Sequence, residues 1–426
     1  MPTIPFSKIR TFVIGAALLL LAGGIGYRLG EKGVFLSVTP DRKLVVNQTQ
    51  PPNVSADFSV FWDVWHRVFQ YYIDAKDLEP QKLVEGAISG MVNAVGDPYT
   101  TFFSAKENAA FKQDLGGQFE GIGAQLGLKD NHIIVIAPLK GTPAENAGIK
   151  PGDWILKVND EETTGWSIEQ AVSKIRGPKG TTVTLQLLHK TADKPEVIPI
   201  TRETILVPSV DWWVKPIGEV TEVSGLPEFE TLKKLKSTIA YLHLSRFGDH
   251  TNDDWDKAIK DIKTKIGSGA VKGLIFDLRN NPGGYLDGSV WIASEFLRSG
   301  TVVSQVNSDG SKQDYPVERV GRLLDIPMVV LINQGSASAA EIVSGALRDY
   351  ARGKLVGEAS FGKGSVQTPQ ELAGGAALHV TTGKWLLPKG DSIHKKGISP
   401  DFIVKMDDFT ASTDAQLAKA IEVLLQ

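Results

Sequence analysis

The sequence predicts a multidomain α/β protein, and three textures along the chain predict it. Between 58 and 95 apolar residues recur at helical spacing. From 115 to 204 short strand-like runs alternate with Gly-rich turns. Beyond that, runs such as IPMVVLIN (326–333) are almost wholly apolar and alternate with helical patterns. That is the signature of strands covered on both faces.

Bulk composition narrows the function classes. The 426 residues, 42% hydrophobic and 22% charged, have an ordinary globular balance and suit two or three domains. A formal net charge of −3 argues against a nucleic-acid partner, since such binders carry a basic face. The absence of cysteine excludes disulfides, thiol catalysis and Cys-ligated zinc, and leaves the redox compartment open. The 7 histidines form no HExxH pair, and no P-loop or dinucleotide fingerprint occurs, so neither a catalytic metal nor another cofactor is expected.

At the N-terminus 17 uncharged residues (11–27, TFVIGAALLLLAGGIGY) follow Lys8 and Arg10. The run approaches the ~17–25 residues of a spanning helix, and its basic flank predicts a cytoplasmic N-terminus. A cleaved signal peptide is the rival reading, but no clear A-x-A site follows. The expectation is a single-pass anchor in the cytoplasmic membrane (segment 1–35), with the body on the periplasmic or extracellular side. Residues 36–57 are polar and Pro-containing, and read as a linker.

A helical region is expected over 58–114. Phe58, Phe61, Trp65, Val68, Phe69 and Tyr72 form one stripe, and Leu83, Val84, Ala87, Ile88, Met91, Val92 and Val95 another. Both helices precede the turn GDPYT (96–100), and the aromatic stripe is expected to be core packing. These helices could mediate a homodimer.

Residues 115–204 run through GIGAQLG (121–127), HIIVIAPL, AGIKPGD (147–153), a single helix (167–175) and TTVTLQLLHK, in an order that resembles a PDZ domain. The resemblance implies a small β-barrel inserted in the chain. It also implies that the backbone N–H groups of Ile122, Gly123 and Ala124 cradle a peptide carboxylate, with the peptide added as a strand beside the helix. Gly121 and Gly123 permit the close approach. Arg176, just after the helix, could serve the ligand, a neighbouring domain or the helix dipole.

From 205 to 426 the strands 237–247, 273–279 and 326–333 alternate with helices over 254–266, 288–297 and 339–352, and a last helix spans 414–425. The stretch 216–236 reads as an insertion. Three loops converge at the carboxyl edge of this sheet, where open α/β sheets place their sites. In DLRNNPGG (277–284) two adjacent glycines can turn backbone N–H groups into a cleft, which suits an oxyanion hole. NQGSASAAE (333–341) sets Ser336 and Ser338 on a tight corner before a helix, either as caps or as a nucleophile at a positive helix end. GEASFGKGSVQ (357–367) frames Lys363 between glycines. A serine with a neutral lysine can hydrolyse amides without histidine, provided burial lowers the amine from its usual ~10.4.

GSASAAEIVSGALRDYARGKLVGEASFGKGSVQ (335–367) is similar to the signature of carboxyl-terminal processing proteases, the tail-specific serine peptidases of the S41 class. GDPYT, the PDZ-like segment, DLRNNPGG and GISPD (397–401) occur in that family's order, so the resemblance covers 58 to the C-terminus. It implies a crotonase-like α/β protease core. The family's nucleophile is the second serine of the S-A-S run, 25 residues before the lysine, which falls on Ser338 with Lys363 as general base. Gln367 matches the third position and is expected to orient the lysine amine. The N–H groups of Ala339 and of Gly283 or Gly284 are implied as the oxyanion hole. Ser336 is then a support for the turn, and Glu341 reads as structural.

Three positions depart from the family pattern. Ala340 replaces a frequent third serine, and Leu387 and Lys389 replace commoner Thr and Ser, so substrate contacts are expected to differ there. The implied function is a membrane-anchored endopeptidase acting on proteins with unstructured or apolar C-termini. Alternatives are a catalytically silent PDZ scaffold and an acyl-CoA enzyme of related fold. The Ser338, Lys363 and Gln367 spacing speaks against the first, and the PDZ insertion against the second.

Overall fold

The structure is a computed structural model. It describes residues 14–17, 20, 21, 23, 34–38, 44–48, 56–190, 192, 194–223, 231, 234, 237–267, 271–405 and 413–426. The expected anchor at 11–27 lies largely outside the described residues, as does much of the 216–236 insertion. Among the described residues no helix is long and apolar enough to cross a membrane. The chain forms two compact units, Met1–Leu83 and Val84–Gln426.

In the first unit β1 (Val34–Val38) pairs antiparallel with β2 (Leu44–Gln48), so the stretch read as a plain linker holds most of a hairpin. Helix α1 (Ser59–Tyr71) carries the aromatic stripe. Phe61, Trp65 and Phe69 stack along its length with centroids 6.2 and 5.4 Å apart, as i,i+4 neighbours do. No residue of α1 is buried, which corrects the expectation of core packing: the rings cover one another along the helix surface. Helix α2 (Pro80–Asn93) begins at a proline, which suits a first helical position, and crosses the boundary between the units; only its Val92 is buried.

The second unit opens with the GDPYT turn, β3 (Thr101–Phe103) and α3 (Ala105–Leu115). Ser104 and Glu107 close a reciprocal capping box at the start of α3. Next come β4 (Gln118–Gly121), β5 (Ala124–Lys129), β6 (His132–Pro138), α4 (Pro143–Asn146), β7 (Trp154–Val158), β8 (Glu161–Glu162), α5 (Ile168–Ile175), β9 (Thr182–Leu188), β10 (Glu196–Thr201) and β11 (Glu203–Leu206). Strands β10, β9, β7, β6 and β5 line up in that order, with β8 added on β7, while β4 and β11 form a separate ribbon. Alternating residues such as Val183, Leu185 and Leu187 meet Ala171 and Ile175 of α5 in a dry core.

The rest of the unit is built on β12 (Val210–Pro216), β13 (Thr238–Leu244), α6 (Thr251–Gly267), β14 (Val271–Asp277), α7 (Leu286–Ala293), β15 (Thr301–Asn307), β16 (Lys312–Pro316), β17 (Met328–Ile332), α8 (Ala339–Asp349), β18 (Lys354–Gly357), β19 (Ser365–Glu371), β20 (Ala377–Leu386), β21 (Phe402–Ile403) and α9 (Ala415–Leu424). One sheet runs β12-β13-β14-β17-β18-β21, parallel throughout except at β12. Its strands alternate between two cores. Leu274, Phe276, Val330 and Ile332 face residues of α6, α7 and α8, whereas Ile275, Val329 and Leu331 face α9 and the 217–223 turns. A second sheet runs β16-β15-β20-β19, and β3 joins it on β20. The turn GDPYT is thereby fastened to the sheet that carries Gln367.

The PDZ-like segment is tied to this body at its entry. Arg246 Nη1 donates to the Asp114 carbonyl (2.8 Å), and the Asp249 N–H donates to Leu115 (3.1 Å). Gly248 lies so close that a Cβ there would meet the Leu115 oxygen at 2.1 Å.

Candidate active site

The loops after β14, β17 and β18 all leave the carboxyl edge of the parallel sheet, so DLRNNPGG, NQGSASAAE and the Lys363 loop meet there. Each is locked to the next by buried polar groups. Asn333 Oδ1 accepts from the Asn280 and Gly335 N–H groups (2.8 and 3.0 Å), and its Nδ2 donates to Asn280 Oδ1 (2.9 Å). The Ala337 N–H donates to the Asn281 carbonyl (2.9 Å), and Phe361 N–H to that of Ser336 (3.0 Å).

Ser338 is the cap residue of α8 and has φ 53° and ψ −114°, a strained combination for a residue with a Cβ. Its side chain is half-buried at the helix N-terminus. Ser336 is fully buried. Its hydroxyl donates to the Leu278 carbonyl (2.8 Å) and accepts the Asn333 N–H (3.0 Å), so it braces the corner as expected.

Glu341, fully buried on α8, is the hub. Its Oε2 accepts the backbone N–H groups of Ser338 (2.8 Å) and Lys363 (2.9 Å). Its Oε1 accepts the Gly362 N–H (2.7 Å) and the Ser360 hydroxyl (2.6 Å). Ser360 Oγ in turn accepts the Ile398 N–H (2.7 Å), so the GISPD segment clamps the lysine loop from behind.

Lys363 is half-buried, and among the described residues its Nζ makes no hydrogen bond or ion pair. Burial pushes its ammonium below the ordinary lysine range, against the Glu341 charge, which favours the protonated form. Gln367 does not meet it. The Gln367 Nε2 donates instead to Ser365 Oγ (2.8 Å) and Thr381 Oγ1 (3.2 Å), because the side chain lies along β19 toward β20. No hydrogen bond joins Ser338 to Lys363 either, so the three residues are gathered by their loops without being linked through their side chains.

The glycine pair divides its duties. Gly283 packs against Ser338, where a Cβ would fall 2.8 Å from the serine Cβ and 3.0 Å from the Ala339 nitrogen. Its own N–H is already given to Asn281 Oδ1 (2.8 Å), so of the two glycines expected as alternative donors Gly283 is the one already committed. Gly284 has φ 139°, and its N–H, like that of Ala339 in the first turn of α8, has no partner among the described residues. Phe247 fixes this loop by donating to the Gly283 carbonyl (2.9 Å) and accepting from the Tyr285 N–H (2.9 Å). Leu387 is buried against Gly345 of α8, so it is a core residue and not a substrate contact.

This chain is similar to the carboxy-terminal-processing protease of Bartonella bacilliformis, 36% identical over 380 residues, which cover 88% of this chain and 81% of that protein. It is also similar to the carboxy-terminal processing protease CtpB of Bacillus subtilis, 34% identical over 418 residues, 97% of this chain and 82% of that one. The chain belongs to the carboxy-terminal processing proteases. Residues 238–404 match the model of peptidase family S41, 110–188 that of the PDZ domain, and 32–107 that of the N-terminal domain of the activating protease CtpB. Its fold is that of an S41 protease from Bacteroides fragilis, with TM-score 0.51 at 20% identity, covering 88% of this chain and 99% of that one. It is thus a serine protease carrying a PDZ domain.

In the PDZ domain of this protease, Ile122, Gly123 and Ala124 line a narrow cavity of about 60 Å³ with Phe119, Val172 and Arg176. The Ile122 and Gly123 N–H groups have no partner among the described residues. Gly123, at φ 78°, must be glycine, since a Cβ would fall 2.4 Å from Thr142. Gly121 ends β4 beside Phe119 and Arg176. The Arg176 guanidinium stacks on Phe119, 4.4 Å from its centroid. It also borders a second cavity, about 140 Å³, shared with Asp114 and Arg246, so it lies where the PDZ groove meets the protease body.

Sequence reasoning missed several residues that shape the site. Asn281 has no motif signature beyond its place in DLRNNPGG. Arg279 pairs with Asp277 (2.6 Å) and with Asp414 (2.8 Å), pinning the cap of α9 beneath the same loop. The pairing of residues 135 positions apart left no local signal. Tyr99, in GDPYT, sets its ring 5.7 Å from the Lys363 amine.

Proposed function

We propose that the protease cleaves peptide bonds by nucleophilic catalysis, with Ser338 as nucleophile, Lys363 as general base and Gln367 as the residue that orients the lysine amine. The observation that carries this reading is the shared Glu341 carboxylate, which holds the backbones of Ser338 and the desolvated Lys363 together. Neutral Lys363 takes the Ser338 hydroxyl proton as Oγ attacks the scissile carbonyl. The N–H groups of Gly284 and Ala339 receive the oxyanion, Gly283 being committed to Asn281. The lysine ammonium then protonates the leaving amine, and an acyl-enzyme remains. Lys363 next deprotonates water, which releases the acid product.

The open geometry supports a resting state in which Lys363 and Gln367 have yet to rotate into line. Catalytic hydrogen bonds are often long or unformed without substrate. This reading has more support than a silent scaffold, for which a desolvated, unpaired lysine would be a liability without use.

The PDZ groove at 121–124 with Arg176 is read as the receptor for unstructured or apolar substrate C-termini. The core is read as crotonase-like, and the segment 115–204 as a small PDZ barrel inserted between the helical region 58–114 and the protease domain 205–426. The apolar run 11–27 supports a single-pass anchor with the protease domain outside the cytoplasmic membrane. The exposed rings of α1 support self-association through the N-terminal helices. The test uses the full chain in detergent and an unstructured fluorogenic polypeptide ending in Leu-Val, with Ser338→Ala and Lys363→Ala alongside. Cleavage by the parent and its loss in both variants is the expected result; cleavage that survives Ser338→Ala rejects the mechanism.

A further inference from the structure

We infer that Tyr99 is a positioning residue for the base: its ring is the wall that shields the Lys363 amine from water. This rests on Lys363 being the general base, and adds a residue lying outside the segment that matches the peptidase model.

The turn is built to hold that ring still. The Tyr99 N–H and Thr100 Oγ1 donate to the two oxygens of Asp97 (3.3 and 2.6 Å). Thr100 Oγ1 accepts the Thr381 N–H (3.1 Å), and β3 continues the clamp by pairing Thr101 with His379. Thr381 is also the residue that engages Gln367, so the turn is fixed to the strand beside the dyad. On its other flank the Tyr99 ring meets His394 edge-on at 6.1 Å. His394 is held against the lysine loop, for a Cβ on Gly364 would fall 2.3 Å from its nitrogen.

The effect on the lysine follows from what faces it. Glu341 of α8 favours the ammonium, while His379 of β20, kept mostly neutral by burial, adds little charge. His394 and Tyr99 complete the surround. With no hydrogen bond on Nζ among the described residues, exclusion of water is the influence that favours the free amine, and a ring 5.7 Å away supplies it. The attraction of the ring face for an ammonium within ~6 Å opposes this, and the pH profile below reads which of the two wins.

The experiment measures kcat/KM against pH for the full chain, Tyr99→Ala, Tyr99→Phe and Lys363→Ala, with the same fluorogenic polypeptide. Tyr99→Ala is expected to lose about three- to tenfold at pH 7 and to converge on the parent at alkaline pH, as water restores the lysine's ordinary basicity. Tyr99→Phe, which keeps the ring and should fold normally, is expected to follow the parent profile. A Tyr99→Ala profile parallel to the parent overturns the inference, as does a Tyr99→Phe profile displaced from it, since the hydroxyl would then be the active part. Activity in Lys363→Ala would remove the underlying mechanism instead, a result distinguishable from either.

Discussion

The backbone N–H groups of Ser338 and Lys363, 25 residues apart, are held by one oxygen, Glu341 Oε2, at 2.8 and 2.9 Å. The proposed nucleophile and base thus take their mutual position from a third, fully buried residue.

Replacing that carboxylate tests the arrangement. Glu341→Gln keeps one acceptor oxygen but turns an NH₂ toward two buried N–H donors. The expected result is a loss of about 2–4 kcal/mol in stability and about 10²-fold or more in kcat/KM. Because the Glu341 charge favours protonated Lys363, the residual activity should also extend to lower pH than in the parent. Denaturant unfolding and a pH profile measure both, and an unaltered profile would contradict the electrostatic assignment.

The two serines are expected to separate cleanly. Ser338→Gly removes the proposed nucleophile and relieves a backbone at φ 53°, so activity disappears while stability rises by about 1 kcal/mol. Ser336→Ala leaves the buried Asn333 N–H without its partner and the Leu278 carbonyl with only the longer bond from the Asn281 N–H (3.4 Å). It should lower stability by about 1–3 kcal/mol yet leave Ser338 reactive toward a serine-directed acylating probe. Labelling of Ser336 in place of Ser338 would reverse the assignment.

Lys363 opposes folding below about pH 10.5, and that penalty fades in a defined window. Unfolded, it keeps its proton up to about 10.5; folded, burial makes it release that proton at lower pH. Between those limits the unfolded chain binds more protons, so stability rises with pH there. Lys363→Met, of similar shape, should therefore raise Tm at pH 7, with the gain shrinking as pH approaches 10.5. A gain that is constant across this range would contradict the buried-amine account.

Glu295 behaves in the opposite sense. Burial penalises its carboxylate, but hydrogen bonds from Arg322 and Arg319 outweigh that and hold it at about 2 instead of 4.5. Its contribution is present above 4.5 and fades as pH falls toward 2, corresponding to about 3 kcal/mol in total. Unfolding free energies of Glu295→Gln should show a flatter acid limb than the parent; identical limbs would mean that the two arginines do not stabilise the charge.

Much of this was legible in the sequence because it is local. Almost wholly apolar runs marked β13, β14 and β17, and the loops after β14, β17 and β18 held the glycine pair, Ser338 and Lys363. Leu274, Ile275 and Phe276 each belong to a core on one face or the other, so the fully apolar run could signal a covered strand without context. The aromatic stripe of α1 gave a correct helix and a wrong burial, because periodicity reports which residues share a face and not what covers it.

What the sequence by itself determined was the order of the textures along the chain, strands covered on both faces in an α/β sheet, and which residue types stand at its carboxyl edge. Only the tertiary structure decided how they are used: that Gly283 spends its N–H on Asn281 while Gly284 does not, that Gln367 turns toward Thr381, and that Tyr99 and Asp414 reach the site from opposite ends of the chain. Hydrogen-bond partners and water exclusion depend on distances between segments far apart in sequence. Such distances are fixed when the two cores close around the sheet, and no local pattern encodes them.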